Sequence, residues 1–470
     1  MISIRACLIT AALVAAGAAQ AQSAPSSKAE DSSLTWKGIT IYGIVDIGVQ
    51  YDTHSAPFSD YFPPGSASLV QKNDYQSAFG VTPSNLSQSR IGISGNEPLV
   101  GDWAGIFRFE TFFNPQSGDI SDACKSVALN NGKALTAQYV GVDSSICGQL
   151  FSGVAIVGLS SPTVGSFTFG RNVTLLADGI GKYDPLSASN AFSLIGFSGT
   201  AAGGGDTEDR RLDQSVKYAA RYGGLHLGAL YQFSGQSGST NTGYQLQIGG
   251  EFAGFSIDGY YFKKYDAVGI ASLSAAQVAA IQTGTCNAAA PAVPQCWPIS
   301  NSVAATISDN ETYSVMALYD FGAALPLKLM AGYEHIAFDN PTNPLPAGSL
   351  TIGGYILAVT NNAAFNNEKR LQVFWAGLRY SVTPKVDVLA SYYGYNQNSY
   401  ATGASAGCTN TSNGACAGTE GDVSLVIDYK MAKRFDLYAG SMWSGVKNGL
   451  ANGYIYKDNI ATTVGARFKF

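Results

Sequence analysis

Gly38 to Tyr51, GITIYGIVDIGVQY, reads with a period of two. Ile39, Ile41, Val45, Ile47, Val49 and Tyr51 share one face, and Thr40, Tyr42 and Asp46 share the other. This is the signature of a strand, whose successive side chains point to opposite sides of the sheet. The pattern recurs along the chain. Val423, Leu425, Ile427 and Tyr429 alternate with Asp422, Ser424, Asp428 and Lys430. Leu327, Leu329, Ala331 and Tyr333 alternate with Lys328, Gly332 and Glu334, and Val464, Ala466, Phe468 and Phe470 with Thr463, Gly465, Arg467 and Lys469. One face suits lipid and the other a wet lumen. Such a sheet must close on itself, because hydrocarbon cannot hydrogen-bond an open edge. A soluble sandwich would alternate in the same way, so the connections between strands decide.

Sixteen segments of this kind begin near Gly38, Gln88, Trp103, Phe151, Gly165, Asp213, Leu225, Gly243, Phe255, Glu311, Leu327, Lys369, Val386, Gly421, Phe435 and Tyr456. Short connections such as Ser161–Gly165, Gly223–Gly224 and Met431–Arg434 interleave with long ones such as Asp52–Ser87, Asn114–Leu150, Asn172–Leu212 and Asp266–Asn310. That is the rhythm of a transmembrane antiparallel β-barrel of sixteen strands, with short periplasmic turns and long extracellular loops on one meander. Two places break the alternation. Phe374, Trp375, Leu378 and Tyr380 do not keep one parity, which points to a bulge or a subunit contact, and Ile336 falls on the wet side of its strand.

Composition agrees. Charged residues make up 13% of the 470, and Gly, Tyr and Phe number 54, 26 and 23, which suits tight turns and aromatic girdles. The first residues resemble an export signal: Arg5, an apolar run from Cys7 to Gly17, and the cleavage pattern Ala19-Gln20-Ala21. We therefore expect residues 1–21 to be removed, residues 22–37 to form a polar N-terminal segment, and 38–470 to form the barrel. The cut takes away one basic residue and no acid, moving the net charge from −5 to −6. That balance speaks against nucleic acid as a partner. No run of eighteen apolar residues provides a spanning helix. Six cysteines remain, in three sequence-local pairs: Cys124 with Cys147, Cys286 with Cys296, and Cys408 with Cys416. Each pair lies within one long connection. Export into an oxidising compartment makes them loop-stapling disulfides, and the absence of C-x-x-C spacing and of nearby His counts against a metal.

Catalytic motifs find little support. His54, His226 and His335 are scattered, and the one G-x-S-x-G, Gly403 to Gly407, lies in a small-residue loop rather than a strand-to-helix elbow. No cofactor, metal or phosphate motif is present, and catalysis is not expected. Charge on the wet face is the more informative feature. Arg90 alternates with Ile91 and Ile93, Arg108 and Glu110 with Phe107 and Phe109, and Lys217 and Arg221 with Val216, Tyr218 and Tyr222. On the lipid side each Arg or Lys would cost roughly 2–4 kcal/mol, so these residues face water or one another. They are either a pairing that satisfies the wall or a charged pore lining. Asn172–Leu212 carries Asp178, Lys182, Asp184, Asp206, Glu208 and Asp209 and is either a surface loop or a segment folded into the lumen.

At these residues the chain resembles the general porins of Gram-negative outer membranes. Ser89 to Gly95, SRIGISG, is similar to that family's second strand. Gly165 to Asn172 (GSFTFGRN), Leu212 to Tyr218 (LDQSVKY) and the closing Ala466 to Phe470 (ARFKF) match in order. The resemblance implies a homotrimer, passive diffusion of small hydrophilic solutes and ions, and a third loop folded into the lumen. It implies a basic wall of Arg90, Arg171 and Arg211, joined by Arg108 and Lys217, facing Asp178 and Asp184 on that loop. Parity alone puts Arg171 with outward Phe167 and Phe169, so an inward Arg171 requires a bulge. The family's second loop acid is missing, since Ser187-Ala188-Ser189 stands in its place. The resemblance also implies that Phe470 is read by the outer-membrane assembly machinery. The rival reading is a surface adhesin or structural barrel acting through its long loops.

Overall fold

The computed structural model describes residues 34–63, 69–195, 210–234, 242–283 and 297–470. Residues 1–21 and the pair Cys286/Cys296 lie outside the described residues.

The chain folds into one closed antiparallel barrel. Its strands are β1 (Ile39–Ser55), β2 in two pieces (Gln76–Pro83 and Arg90–Pro98), β3 (Ala104–Phe112), β4 (Val154–Ser161), β5 (Gly165–Val173), β6 (Arg211–Tyr222), β7 (Leu225–Gln232) and β8 (Gly243–Phe252). They continue as β9 (Phe255–Ala271), β10 (Ser302–Asp320), β11 (Leu327–Asp339), β12 (Lys369–Thr383), β13 (Val386–Gln397), β14 (Gly418–Ala432), β15 (Phe435–Asn448) and β16 (Asp458–Lys469). Each pairs with the next, and β16 closes on β1 with Val49 opposite Val464. With the broken second strand counted once, there are sixteen. Three extra short strands lie outside the wall: Thr35–Trp36, Thr351–Ile352 and Tyr355–Asn361. Among the described residues no helix is long and apolar enough to cross a membrane.

An apolar set points outward from the strands around the barrel. Ile41, Val49, Phe79, Val157, Ile248, Leu425 and Val464 are exposed on the outer face, while Asp46, Gln50, Ser424 and Thr463 on the opposite parity are buried. An exposed apolar belt is what lipid requires.

Two boundaries need correction. The second strand starts at Gln76 rather than near Gln88, and is interrupted over residues 84–89. Its upper piece pairs Val81 with Val49, and its lower piece pairs Ile93 with Ile41. Pro83 followed by Ser84 and Asn85 reads as a loop in sequence, and the interruption is real, but strand lies on both sides of it. The tenth strand starts at Ser302 rather than Glu311. Its first five residues, Ser302 to Thr306, carry no large exposed apolar side chain, and the loop strand Tyr355–Asn361 pairs with them in parallel.

The described part of the third loop, residues 174–195, folds into the lumen. It opens with α2 (Leu175–Tyr183), whose N-cap is Thr174, and α2 buries Leu175, Leu176, Ile180 and Tyr183. The second loop, residues 113–153, carries a short helix α1 (Ala123–Ala128). Cys124–Cys147 and Cys408–Cys416 are disulfides within the second and seventh long loops.

Candidate functional site: the lumen and its third loop

The loop enters at a β-bulge. The β5–β6 register slips between Gly170 and Asn172, and Gly170 has φ +124, so Arg171 leaves the outward parity of Phe167 and Phe169. A Cβ on Gly170 would come 2.2 Å from the Ala155 carbonyl, so a side chain there has neither the space nor the conformation. α2 then packs its apolar face on the inner wall, against Leu230, Tyr260, Phe262 and Met316. Gly179 allows the approach, since a Cβ there would lie 2.4 Å from Tyr260 Oη.

Past α2 the chain is tied down by polar wall residues. Trp375 Nε1 donates to the Tyr183 carbonyl at 3.1 Å, and Arg379 donates to the Pro185 carbonyl at 2.8 Å. Asp184 is fully buried. It accepts from Tyr393 Oη (2.7 Å), Ser193 Oγ (2.7 Å) and the Ala188 amide (2.6 Å). The tip reaches the interruption in β2, where the Ala191 amide donates to Asn85 O and Asn190 Nδ2 to Ser84 O, both at 2.9 Å. Asp46 holds that gap open by accepting from the Leu86 and Ser87 amides at 3.0 and 2.7 Å. β2 is broken because the loop docks there. The disturbed alternation on β11 and β12 has the same origin: inward Ile336, Leu371, Val373 and Trp375 belong to the apolar cluster that holds loop three, and neither a bulge nor a subunit contact is needed.

The opposite wall is basic. Arg108 pairs with Glu110 at 2.6 Å and Arg90 approaches the same carboxylate at 3.7 Å. Tyr42 Oη donates to Glu110 at 3.0 Å and accepts from Arg108 Nε at 2.7 Å. Arg211 Nε donates to the Gly153 carbonyl at 2.8 Å, with its guanidinium 4.5 Å from the Phe112 ring centre. Glu110 is only 1% exposed and lies beneath these cations, so it supports them rather than facing the pore. Between loop and wall runs a cavity of about 2210 Å³, reaching from the short turns up to residues 143–146 of the second loop. Among the described residues fourteen Lys and Arg and nine Asp and Glu line it.

The residues expected from sequence therefore divide. Arg90, Arg108, Arg211, Lys217, Arg221 and Asp178 line this cavity. Asp178, on α2, is paired with Lys217 of β6 at 2.5 Å. Arg221 lies 3.6 Å from Glu251 near a short turn. Asp184 is not at the constriction: parity and spacing cannot distinguish an acid facing water from one that anchors a loop. Arg171 lies outside the lumen cavity. It pairs with Asp213 at 2.6 Å and donates to the carbonyls of Ser145 (2.9 Å) and Ser152 (3.0 Å). The sequence reading missed a second polar cluster. There Lys182 approaches Glu251 (2.7 Å) and Asp258 (3.4 Å), His226 lies 3.1 Å from Asp258, and Tyr183 donates to Asp258. Their inward parity was visible in the sequence, but not their convergence on the end of α2. Arg467, which pairs with Asp428 (3.2 Å) and Asp436, was missed in the same way.

The family model for Gram-negative porins matches residues 9–449. The chain belongs to that family. This porin is 27% identical over 198 residues to an outer membrane porin protein of Bordetella pertussis, covering 42% of this chain and 43% of that one. It is 24% identical over 204 residues to outer membrane porin protein 32 of Delftia acidovorans, covering 43% and 46%. The aligned stretches thus span under half the length of these relatives. In fold it is similar to an anion-selective porin from Comamonas acidovorans, with TM-score 0.57 and 17% identity over 92% of this chain and 99% of that one. The trimer form of OmpT from Vibrio cholerae gives TM-score 0.52 and 15% identity over 92% and 99%. Family and fold place the barrel in a Gram-negative outer membrane and point to a channel rather than an enzyme.

Proposed function

We propose that this porin is a passive channel for small hydrophilic solutes and ions, with a preference for small anions. The observation that carries the reading is the charged cavity between loop three and the β2–β6 wall, lined among the described residues by more cations than acids. On the loop side Asp178 is neutralised by Lys217 of β6, and Asp184 is buried. On the wall side Arg90, Arg108 and Arg211 share one buried carboxylate. A pore needs no further chemistry, since fixed charges in a narrow wet passage order and select passing ions. Planar-bilayer recordings test it: steady conductance with a reversal potential of anion-selective sign supports the reading, and a silent or cation-selective protein counts against it.

The mature protein begins at Gln22 after removal of residues 1–21, and three copies assemble through part of the exposed apolar belt. Terminal sequencing of outer-membrane protein and crosslinking in native membranes test these two points. The adhesin alternative gains no support, because loop three folds inward and loop two packs on its neighbours.

A further inference from the structure

The second loop does not stay above the strands it joins. It leaves β3 and returns to β4, yet its middle is fastened to the ends of β9 and β10. In a ring of sixteen strands β3 and β10 are seven apart, nearly opposite. Asn131 Nδ2 donates to the carbonyls of Ile299 and Ser302, both at 2.8 Å, and Asn131 Oδ1 accepts from the Leu273 amide at 2.7 Å. Tyr355 Oη in the sixth loop donates to Asp122 at 3.0 Å. Cys124, Val127 and Cys147 are buried in one apolar cluster with Val268, Ile307 and Leu357. The first loop holds the near side, where the Asp122 and Val140 amides donate to the carbonyls of Tyr61 and Pro57.

The returning arm of this bridge, residues 143–149, divides two cavities. Asp143 to Ile146 bound the lumen. Ser145 and Gln149 bound a smaller outer vestibule of about 230 Å³, together with Arg171, Arg211, Asp213 and Lys264. The arm is held at several points. The disulfide ties Cys147 to Cys124, and Arg171 Nη2 holds the Ser145 carbonyl at 2.9 Å. Gly353 of the sixth loop presses so close that a Cβ there would lie 2.2 Å from the Cys147 carbonyl.

We infer that residues 143–149 are an outer filter of the channel, in series with the loop-three constriction, which sets the size limit for small solutes entering through the outer vestibule. This rests on the channel reading above. A peptide pinned on both sides of a wet mouth has little freedom to yield, so it resists larger solutes as fixed structure. Arg171 is a positioning residue here, acting through the Ser145 carbonyl.

The test compares wild type, C124S/C147S and R171Q in planar bilayers and in liposome swelling with neutral sugars of graded size. Each protein is first shown to be folded by heat-modifiable mobility. C408S/C416S, whose bridge lies in the seventh loop, serves as control and is expected to match wild type. Freeing the arm should raise conductance, by about twofold at most if the filter contributes half of the series resistance, and should admit larger sugars. R171Q should do so without altering ion preference. A rise in either variant supports the filter, and R171Q carries the test if the serine variant does not insert. Unchanged or lowered conductance with an unchanged sugar limit in every variant that folds overturns it. A wild type that conducts nothing refutes the channel reading itself, and the filter with it.

Discussion

Asp184 shows how far one carboxylate's role depends on depth rather than side. It accepts from a tyrosine, a serine and a backbone amide in a pocket closed to water. Asp184→Leu would leave those donors unsatisfied, at roughly 1–3 kcal/mol for each buried group left without a partner. The loop should then lose its hold on the wall. The expected record is a noisier single-channel current and a lower temperature of heat modification, with the reversal potential unmoved. Tyr393→Phe removes one donor and should show the same change more weakly, at about 1 kcal/mol. A quiet D184L channel with altered ion preference would show that Asp184 faces the pore after all. Phe470 is a second residue with two sides to its role. Its amide and carbonyl pair with Gly43 at 3.0 and 2.9 Å, and its ring fills the space a Gly43 side chain would need, with Cζ 2.4 Å from that Cβ. Gly43→Val should therefore resemble deletion of Phe470: less folded barrel in the outer membrane, and normal conductance in the molecules that do fold. Full yield from both variants, measured by quantitative membrane fractionation, would remove the terminus from barrel closure.

At the scale of elements, α2 sets two effects of opposite sign against each other. Replacing Gly179 by Ala in an exposed helix would stabilise it by about 1 kcal/mol. Here the new methyl would meet Tyr260 Oη at 2.4 Å, far inside contact distance, and the helix would have to move off the wall. Overpacking of this kind costs about 1–3 kcal/mol, so G179A should lower the heat-modification temperature. A rise would mean that α2 does not press on Tyr260. The same element explains which features the sequence made legible. Strands such as β1 and β14 were readable because lipid enforces one parity along their length. The inner parity carries no such rule. It hosts Arg90 beside water, Glu110 beneath arginines, and Trp375 under loop three. Period-two reading assigns the side of the wall but not what covers it. The upper piece of β2, Gln76–Pro83, escaped for a related reason: the break after it, at Ser84 and Asn85, serves a loop more than a hundred residues away, and nothing local announces that contact.

Across the whole molecule, net charge and pore charge have opposite signs. The chain carries −5, while the described lumen is lined by fourteen cations and nine acids. Ions passing through sense the nearby lining, because at 0.1 M salt charges further than about 10 Å are largely screened. The family resemblance puts Arg90 and Arg171 on one basic wall. The structure separates them, since Arg90 lines the lumen cavity and Arg171 holds the second loop. Removing Arg90 and Arg108 alone would strip Glu110 of its closest cations, and an uncompensated buried charge costs about 3–5 kcal/mol. The clean variant is therefore R90Q/R108Q/E110Q, which keeps the pocket neutral while taking two cations from the wall. In a salt gradient near 0.1 M its reversal potential should move towards cation preference, whereas R171Q should keep the wild-type value. At about 1 M, where the Debye length falls to about 3 Å, the difference between the triple variant and wild type should shrink. A shift that persists undiminished at high salt would mean the arginines act through the width of the passage. No shift at low salt would remove them from the constriction.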